Sequence, residues 1–217
     1  MNQTEPRNYR EENAGEPLVL PEARLADLPE RLQQGVRNAG WSELMPVQAR
    51  GIPYLFSGRD MMIQSRTGSG KTGAYLLPLL EMINPMDPSV QALVLVPTRE
   101  LAQQVQADAE TLGVATDVRS VAVYGGVGYR EQLDAFKAGA QLVIGTPGRI
   151  LDHLLQRSLV LDSLRFLIFD EADRMLSMGF YPDMRRVQAY LPSTPVSTYM
   201  FSATFPPQVI RMADQFM

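Results

Sequence analysis

The sequence predicts an α/β fold in which a mostly parallel central sheet is covered by helices on both faces. Three observations carry that expectation. Six short apolar runs recur from residue 61 onward, near-continuous as strands buried on both faces are. Stretches with helical spacing separate them, as crossovers between parallel strands require. A glycine-rich loop joins the first run to a helix-like segment, the arrangement that cradles phosphate.

In chain order, residues 1–24 read as a lead-in, because 1–17 are polar and flanked by proline. The folded domain is expected over 25–217. Helical periodicity covers 28–39, and a second helix over 46–56 is opened by Pro46, whose fixed φ suits a first helical position. Strands are predicted at 61–65, 92–97, 118–124, 141–146, 164–170 and 197–203. Helices are predicted at 99–112, 129–138, 149–157 and 181–191, besides the apolar run after residue 72. No internal repeat or low-complexity tract interrupts the pattern.

Composition narrows the chemistry. The 217 residues contain no cysteine and one histidine, His153. Disulfides, thiol nucleophiles, cysteine–zinc sites and a Ser–His relay are thereby set aside. Catalysis must rest on carboxylates, hydroxyls, Lys, Arg, backbone amides and a hard cation. No apolar run approaches the ~20 residues of a membrane span, and the N-terminus lacks a signal-peptide core, so a cytoplasmic protein is expected. Net charge is −4 with a pI of about 5.1, which argues against a broad basic face for nucleic acid. Only Lys71 and Lys137 stand against eighteen arginines, and Lys71 lies inside the glycine-rich loop. A compact ammonium suits that place better than a planar guanidinium.

Parallel sheets bind ligands beyond the carboxyl ends of their strands. The first strand ends in SRTGSGKT, residues 65–72. Gly68 and Gly70 let amides of Ser65, Arg66, Thr67 and Ser69 curl around phosphate oxygens. Lys71 can reach the outer phosphates and Thr72 can ligate Mg²⁺. The general phosphate-loop pattern has glycine where Ser65 stands. The fifth strand ends in LIFDEAD, residues 167–173. Asp170 is placed to hold Mg²⁺ through water, and Glu171 to polarise the attacking water of an in-line phosphoryl transfer. Taken alone, these acids equally suit a helix N-terminus.

From about residue 25 to its end the chain resembles the first RecA-like domain of the DEAD-box RNA helicases. The matching segments, in order, are PVQ (46–48), SRTGSGKT (65–72), PTRELA (97–102), GG (125–126), TPGR (146–149), DEAD (170–173) and SAT (202–204). The resemblance implies that Gln48 reads the adenine edge, making the nucleotide ATP. It departs at Leu44 and Ala23, where the family usually has proline and phenylalanine. Pro97, Thr98, Arg99, Glu100, Gly125, Gly126, Thr146, Pro147, Gly148 and Arg149 resemble the segments that hold an RNA backbone, with hydroxyls and turn amides as donors and the arginines supplying charge. Such contacts carry no base information. Singly, Thr98 reads as a helix cap and the glycine pairs as turns. Ser202, Ala203 and Thr204 resemble the element that couples the nucleotide site to strand separation, with the hydroxyls bonding the carboxylates, Asp173 above all. His153 and Phe201 read as structural, and Asp183, Arg185 and Arg186 as a solvated face.

The resemblance further implies a second RecA-like domain of the same protein, carrying arginine fingers. One such finger is worth ~10³–10⁵ in turnover. The chain alone is therefore expected to bind ATP–Mg²⁺ and to hydrolyse it poorly. Two other readings stay open: a DNA-directed helicase or translocase on the same fold, and a non-hydrolysing, nucleotide-dependent RNA-binding module.

Overall fold

A computed structural model describes residues 19–217; most of the lead-in expected over 1–24 lies outside that range. Residues 19–24 run extended along a helix, with Leu20 N donating to the Tyr54 hydroxyl (3.0 Å) and Ala23 N to the Ala49 carbonyl (2.8 Å). A 3₁₀ turn at Leu25–Asp27 follows, then α1 (Glu30–Asn38) and α2 (Pro46–Phe56). Pro46 is the first residue of α2, and the Gln48 side chain caps its start by accepting from Met45 N at 2.8 Å.

The alternation then unfolds in the predicted order. It runs β1 (Met61–Gln64), α3 (Lys71–Met82), β2 (Ala92–Leu95), α4 (Arg99–Leu112), β3 (Ser120–Val123) and α5 (Arg130–Lys137). It continues with β4 (Leu142–Gly145), α6 (Pro147–Leu155), β5 (Phe166–Asp170), α7 (Ala172–Ser177), α8 (Tyr181–Gln188), β6 (Ser197–Ser202) and α9 (Pro207–Phe216). The six strands form one sheet in the order β1-β6-β5-β2-β4-β3, and every pairing is parallel. Each strand is one to three residues shorter than its apolar run, because the run extends into the loop before or after it.

Side chains alternate between the two faces, as the strand period requires. Val94, Ile144, Ile168 and Phe201 meet a cluster built from α1–α4. Leu95, Val143, Phe169 and Met200 meet a second cluster with α6–α9. Strands β2, β4 and β5 are buried at every residue, whereas edge strand β1 alternates. On the first face, α1 crosses the last turn of α4 with almost no gap: a Cβ on Gly35 would lie 1.8 Å from the Leu112 carbonyl oxygen.

Register is the feature that matters for function. Gln64 pairs with Ser202, Asp170 with Phe201, Leu95 with Phe169 and Gly145, and Gly145 with Val123. All six strands therefore stop at one rim, and the segments 65–72, 97–102, 124–129, 146–149, 170–173 and 202–204 all begin there.

Candidate functional site

At one half of the rim the 65–72 loop leads into α3. Gly68 and Gly70 take φ of +78° and +84°, the left-handed region where a side chain is strained. Gly70 must also be small, because a Cβ there would lie 2.5 Å from Met45 Sδ and 2.8 Å from Gln48 Nε2. Gln48 Nε2 donates to the Gly70 carbonyl at 2.9 Å. Gln48, buried to 1% exposure, thus ties α2 to the loop with the same amide that caps α2. Ser65 and Ser69 share a hydroxyl–hydroxyl hydrogen bond, and Ser69 also donates to the Arg66 carbonyl at 2.6 Å. The Arg66 side chain is exposed.

Lys71 opens α3 and points across to β5. Its Nζ lies 2.9 Å from Asp170 Oδ1 and 3.3 Å from Glu171 Oε1. Tyr75, one turn further along α3, donates to Asp170 Oδ2 at 2.9 Å. Complete burial raises the Asp170 carboxyl above its ordinary range, with the Lys71 ammonium and the Tyr75 hydroxyl opposing it. Burial, reinforced by Asp170, likewise pushes the Tyr75 phenol well above its usual value. Glu171 stands at φ +56°, a left-handed conformation that a non-glycine residue adopts at a cost of ~1–3 kcal/mol. Its side chain is held by Lys71, by Thr67 Oγ1 at 3.4 Å and by Arg174 at 3.1 Å. Thr67, Lys71, Thr72 and Glu171 line a cleft of ≈620 Å³ with Trp41, Gln48, Gln104 and Asp108, a size in the range of small-molecule sites.

These residues fit a hydrated magnesium ion. Asp170 Oδ1 is buried and makes no well-aligned hydrogen bond; its neighbour of opposite charge is Lys71. With the Thr72 hydroxyl it offers a sparse set of hard oxygens, which suits an ion that keeps most of its waters and takes phosphate oxygens.

Beside the carboxylates, Thr204 donates its hydroxyl (2.8 Å) and its amide (3.0 Å) to Asp173 Oδ2. Ser202 Oγ accepts from Asp173 N at 3.2 Å and donates to the Thr204 carbonyl at 2.7 Å. Burial raises the Asp173 carboxyl, but the hydrogen bonds from Thr204 and its neighbours outweigh that and leave it below its ordinary range. Ala203 is exposed, and its carbonyl accepts from Gln64 Nε2 at 3.2 Å.

The other half of the rim carries the second group of predicted residues. Thr98 caps α4, its Oγ1 accepting from Leu101 N at 3.2 Å, while Pro97 is buried beneath it. The Arg99 and Glu100 side chains are exposed. Gly125, Gly126 and Gly128 have nothing within 4 Å of where a Cβ would stand, and Gly126 takes φ +82°. Thr146 precedes α6, whose first residue, Pro147, is buried. Arg149 is turned inward, with a side chain only 9% exposed. Asp183, expected on a solvated face, is half-buried, 3.3 Å from where a Gly148 Cβ would lie.

Among the contributors to the cleft that escaped sequence reasoning are Tyr75, Arg174, Trp41, Gln104 and Asp108. The first two carry a signal, since Tyr75 follows Lys71 by four residues and Arg174 follows Glu171 by three, each on one helix face. Trp41 and Asp108 come from α1's exit and from α4, and no local spacing links them to the loop.

A family model described as DEAD/DEAH box helicase matches residues 45–213. Among curated proteins, an ATP-dependent RNA helicase DeaD of Haemophilus influenzae is 48% identical over 192 residues, which cover 88% of this chain and 31% of that protein. A DEAD-box ATP-dependent RNA helicase CshA of Bacillus subtilis is 39% identical over 191 residues, covering 88% and 38%. The chain thus spans about a third of the length of these relatives. The crystal structure of a DEAD box protein from the hyperthermophile Methanococcus jannaschii superposes with a TM-score of 0.84 at 35% identity, over 88% of this chain and 52% of that one.

Proposed function

Because this chain belongs to the DEAD/DEAH box helicase family, we propose that it is the first RecA-like domain of an ATP-dependent RNA helicase, the half that binds ATP–Mg²⁺ and part of the RNA backbone. The observation that carries this reading is the convergence of Lys71, Asp170 and Glu171 within 3.3 Å at the mouth of the glycine-rich loop. The 65–72 amides and the α3 N-terminus take the phosphates, and Lys71 divides its donors between them and the carboxylates. Gln48 turns its remaining amide hydrogen to the adenine. Thr72 and, through water, Asp170 would hold a magnesium ion, which would supply positive charge to offset that of the phosphates. Glu171 orients and deprotonates the attacking water; its left-handed backbone and three side-chain partners fix the carboxylate. Asp173 and the 202–204 segment pass the state of that site to the RNA-binding half of the rim.

Thr98, Arg99, Gly125, Gly126, Thr146 and Gly148 hold RNA by its phosphates, without base readout. A second RecA-like domain of the same protein supplies the arginine fingers and the other half of the RNA grip. ATP turnover by the 217-residue chain, with and without single-stranded RNA and against a Glu171→Gln control, tests this. Near-zero turnover that RNA does not raise is expected. RNA-stimulated turnover that disappears in E171Q would mean that the site completes itself, and the two-domain account would fail.

A further inference from the structure

Arg149 resembles a phosphate ligand by its position in the 146–149 segment, yet its guanidinium is committed elsewhere. Nη2 donates to the Val127 carbonyl at 2.7 Å and Nε to Gln132 Oε1 at 3.0 Å. Its centre lies 3.7 Å above the Tyr129 ring, whose hydroxyl hydrogen-bonds Asp152. Gln132 is 3% exposed; its Nε2 donates to the Tyr124 carbonyl at 3.2 Å, and its Oε1 also meets His153 Nε2 at 2.8 Å. Loop 124–129 is thus gripped at Tyr124, Val127 and Tyr129 from α5 and α6, while Gly125 and Gly126 stand clear.

We propose that Arg149 and Gln132 are positioning residues: they clamp loop 124–129 onto α6 so that its amides and the α6 N-terminus present one fixed row of donors to RNA phosphates, and Arg149 itself neutralises no phosphate. This rests on the RNA-binding reading above. A planar guanidinium can make two directed bonds and stack at once; an ammonium keeps only the charge. Charge and geometry are therefore separable by Arg149→Lys.

The experiment measures affinity of the 217-residue chain for a fluorescein-labelled oligouridylate as a function of salt, beside its affinity for Mg–ATP. R149K is expected to bind the oligonucleotide about tenfold more weakly, with an unchanged salt slope and unchanged Mg–ATP affinity. Tyr129→Phe keeps the ring but releases Asp152, and is expected to lose about threefold in the same pattern; it carries the test should R149K not fold. A direct phosphate contact predicts the opposite: R149K retains affinity, and Arg149→Ala flattens the slope by ~0.7, the share of one phosphate on a single strand. That result overturns the clamp and leaves the RNA reading standing. An unaltered chain that does not bind the oligonucleotide even at low salt overturns both.

Discussion

Under the proposed function, the two halves of the rim hold phosphate in opposite ways. In the nucleotide cleft the functional groups are charged side chains drawn into the interior, with Lys71, Asp170 and Glu171 each less than a tenth exposed. On the other half glycines stand exposed beside Arg99 and Glu100, while Arg149 and Tyr129 behind the glycines turn inward to hold the backbone. A terminal phosphate that must be cleaved calls for buried charge, because fields act strongly only where water is excluded. A strand that must be gripped and released calls for backbone amides at the surface, set in place from behind.

The sharpest way to break that contrast is Lys71→Ala. It removes the cation between two buried carboxylates, and breaking such a pair costs ~3–5 kcal/mol. Nucleotide affinity by calorimetry should fall by about 10²–10³-fold, while oligonucleotide affinity stays as it was. Tight Mg–ATP binding by that variant would contradict the cleft assignment.

Gln48→Ala tests whether the cleft depends on its tether. It loses both the α2 cap and the bond to the Gly70 carbonyl, and should cost ~1–3 kcal/mol in urea unfolding and weaken Mg–ATP binding with it. A loss of stability without a loss of nucleotide affinity would separate the cap from the site. Tyr75→Phe strips one oxygen of buried Asp170 of its donor and should cost ~1–3 kcal/mol in the same assay.

The smallest effect belongs to the clamp and is read by pH. Burial, aided by the neighbouring Arg149, lowers the pKa of His153, with Asp152 opposing. Its unfolded ring takes up a proton below about 6.5, which the folded ring resists. Stability is thus complete above that pH and declines as pH falls through it. The Tyr129 hydroxyl, its leading cause, holds Asp152 below the ordinary carboxylate range, so its contribution is also lost toward acid, nearer pH 4. Melting temperatures between pH 7.5 and 5.5 should show a slope of at most about one proton, flattened in His153→Asn. An unchanged slope in that variant would place the titrating group elsewhere.

The strands and most helices were legible because buried parallel strands and amphipathic helices write their periods into neighbouring residues. Helix α7 was not: Ala172–Ser177 is barely two turns and continues from the acidic run that ends β5. Strand order was not legible either, since β6 inserts between β1 and β5, and its pairing with β1 joins residues as distant in sequence as Met61 and Tyr199. In the cleft, motif order located Lys71, Asp170 and Glu171, whose mutual distances the structure supplies. Sequence reading gave Arg149 the role of supplying charge to an RNA backbone, because a motif names a residue without its direction. Gln132 left no trace at all, for its three partners lie outside its own helix, Tyr124 after β3 and Arg149 and His153 on α6.

Helix α4 spans both regions: Thr98 and Arg99 stand at its start on the half proposed for RNA, while Gln104 and Asp108 face the cleft. Its far end is fixed by the contact with Gly35. The helix therefore works as a strut with one end pinned. Adding a single methyl at Gly35 would have to lever α4 aside, and the smallest side-chain addition the genetic code allows, made at neither site, would be felt at both.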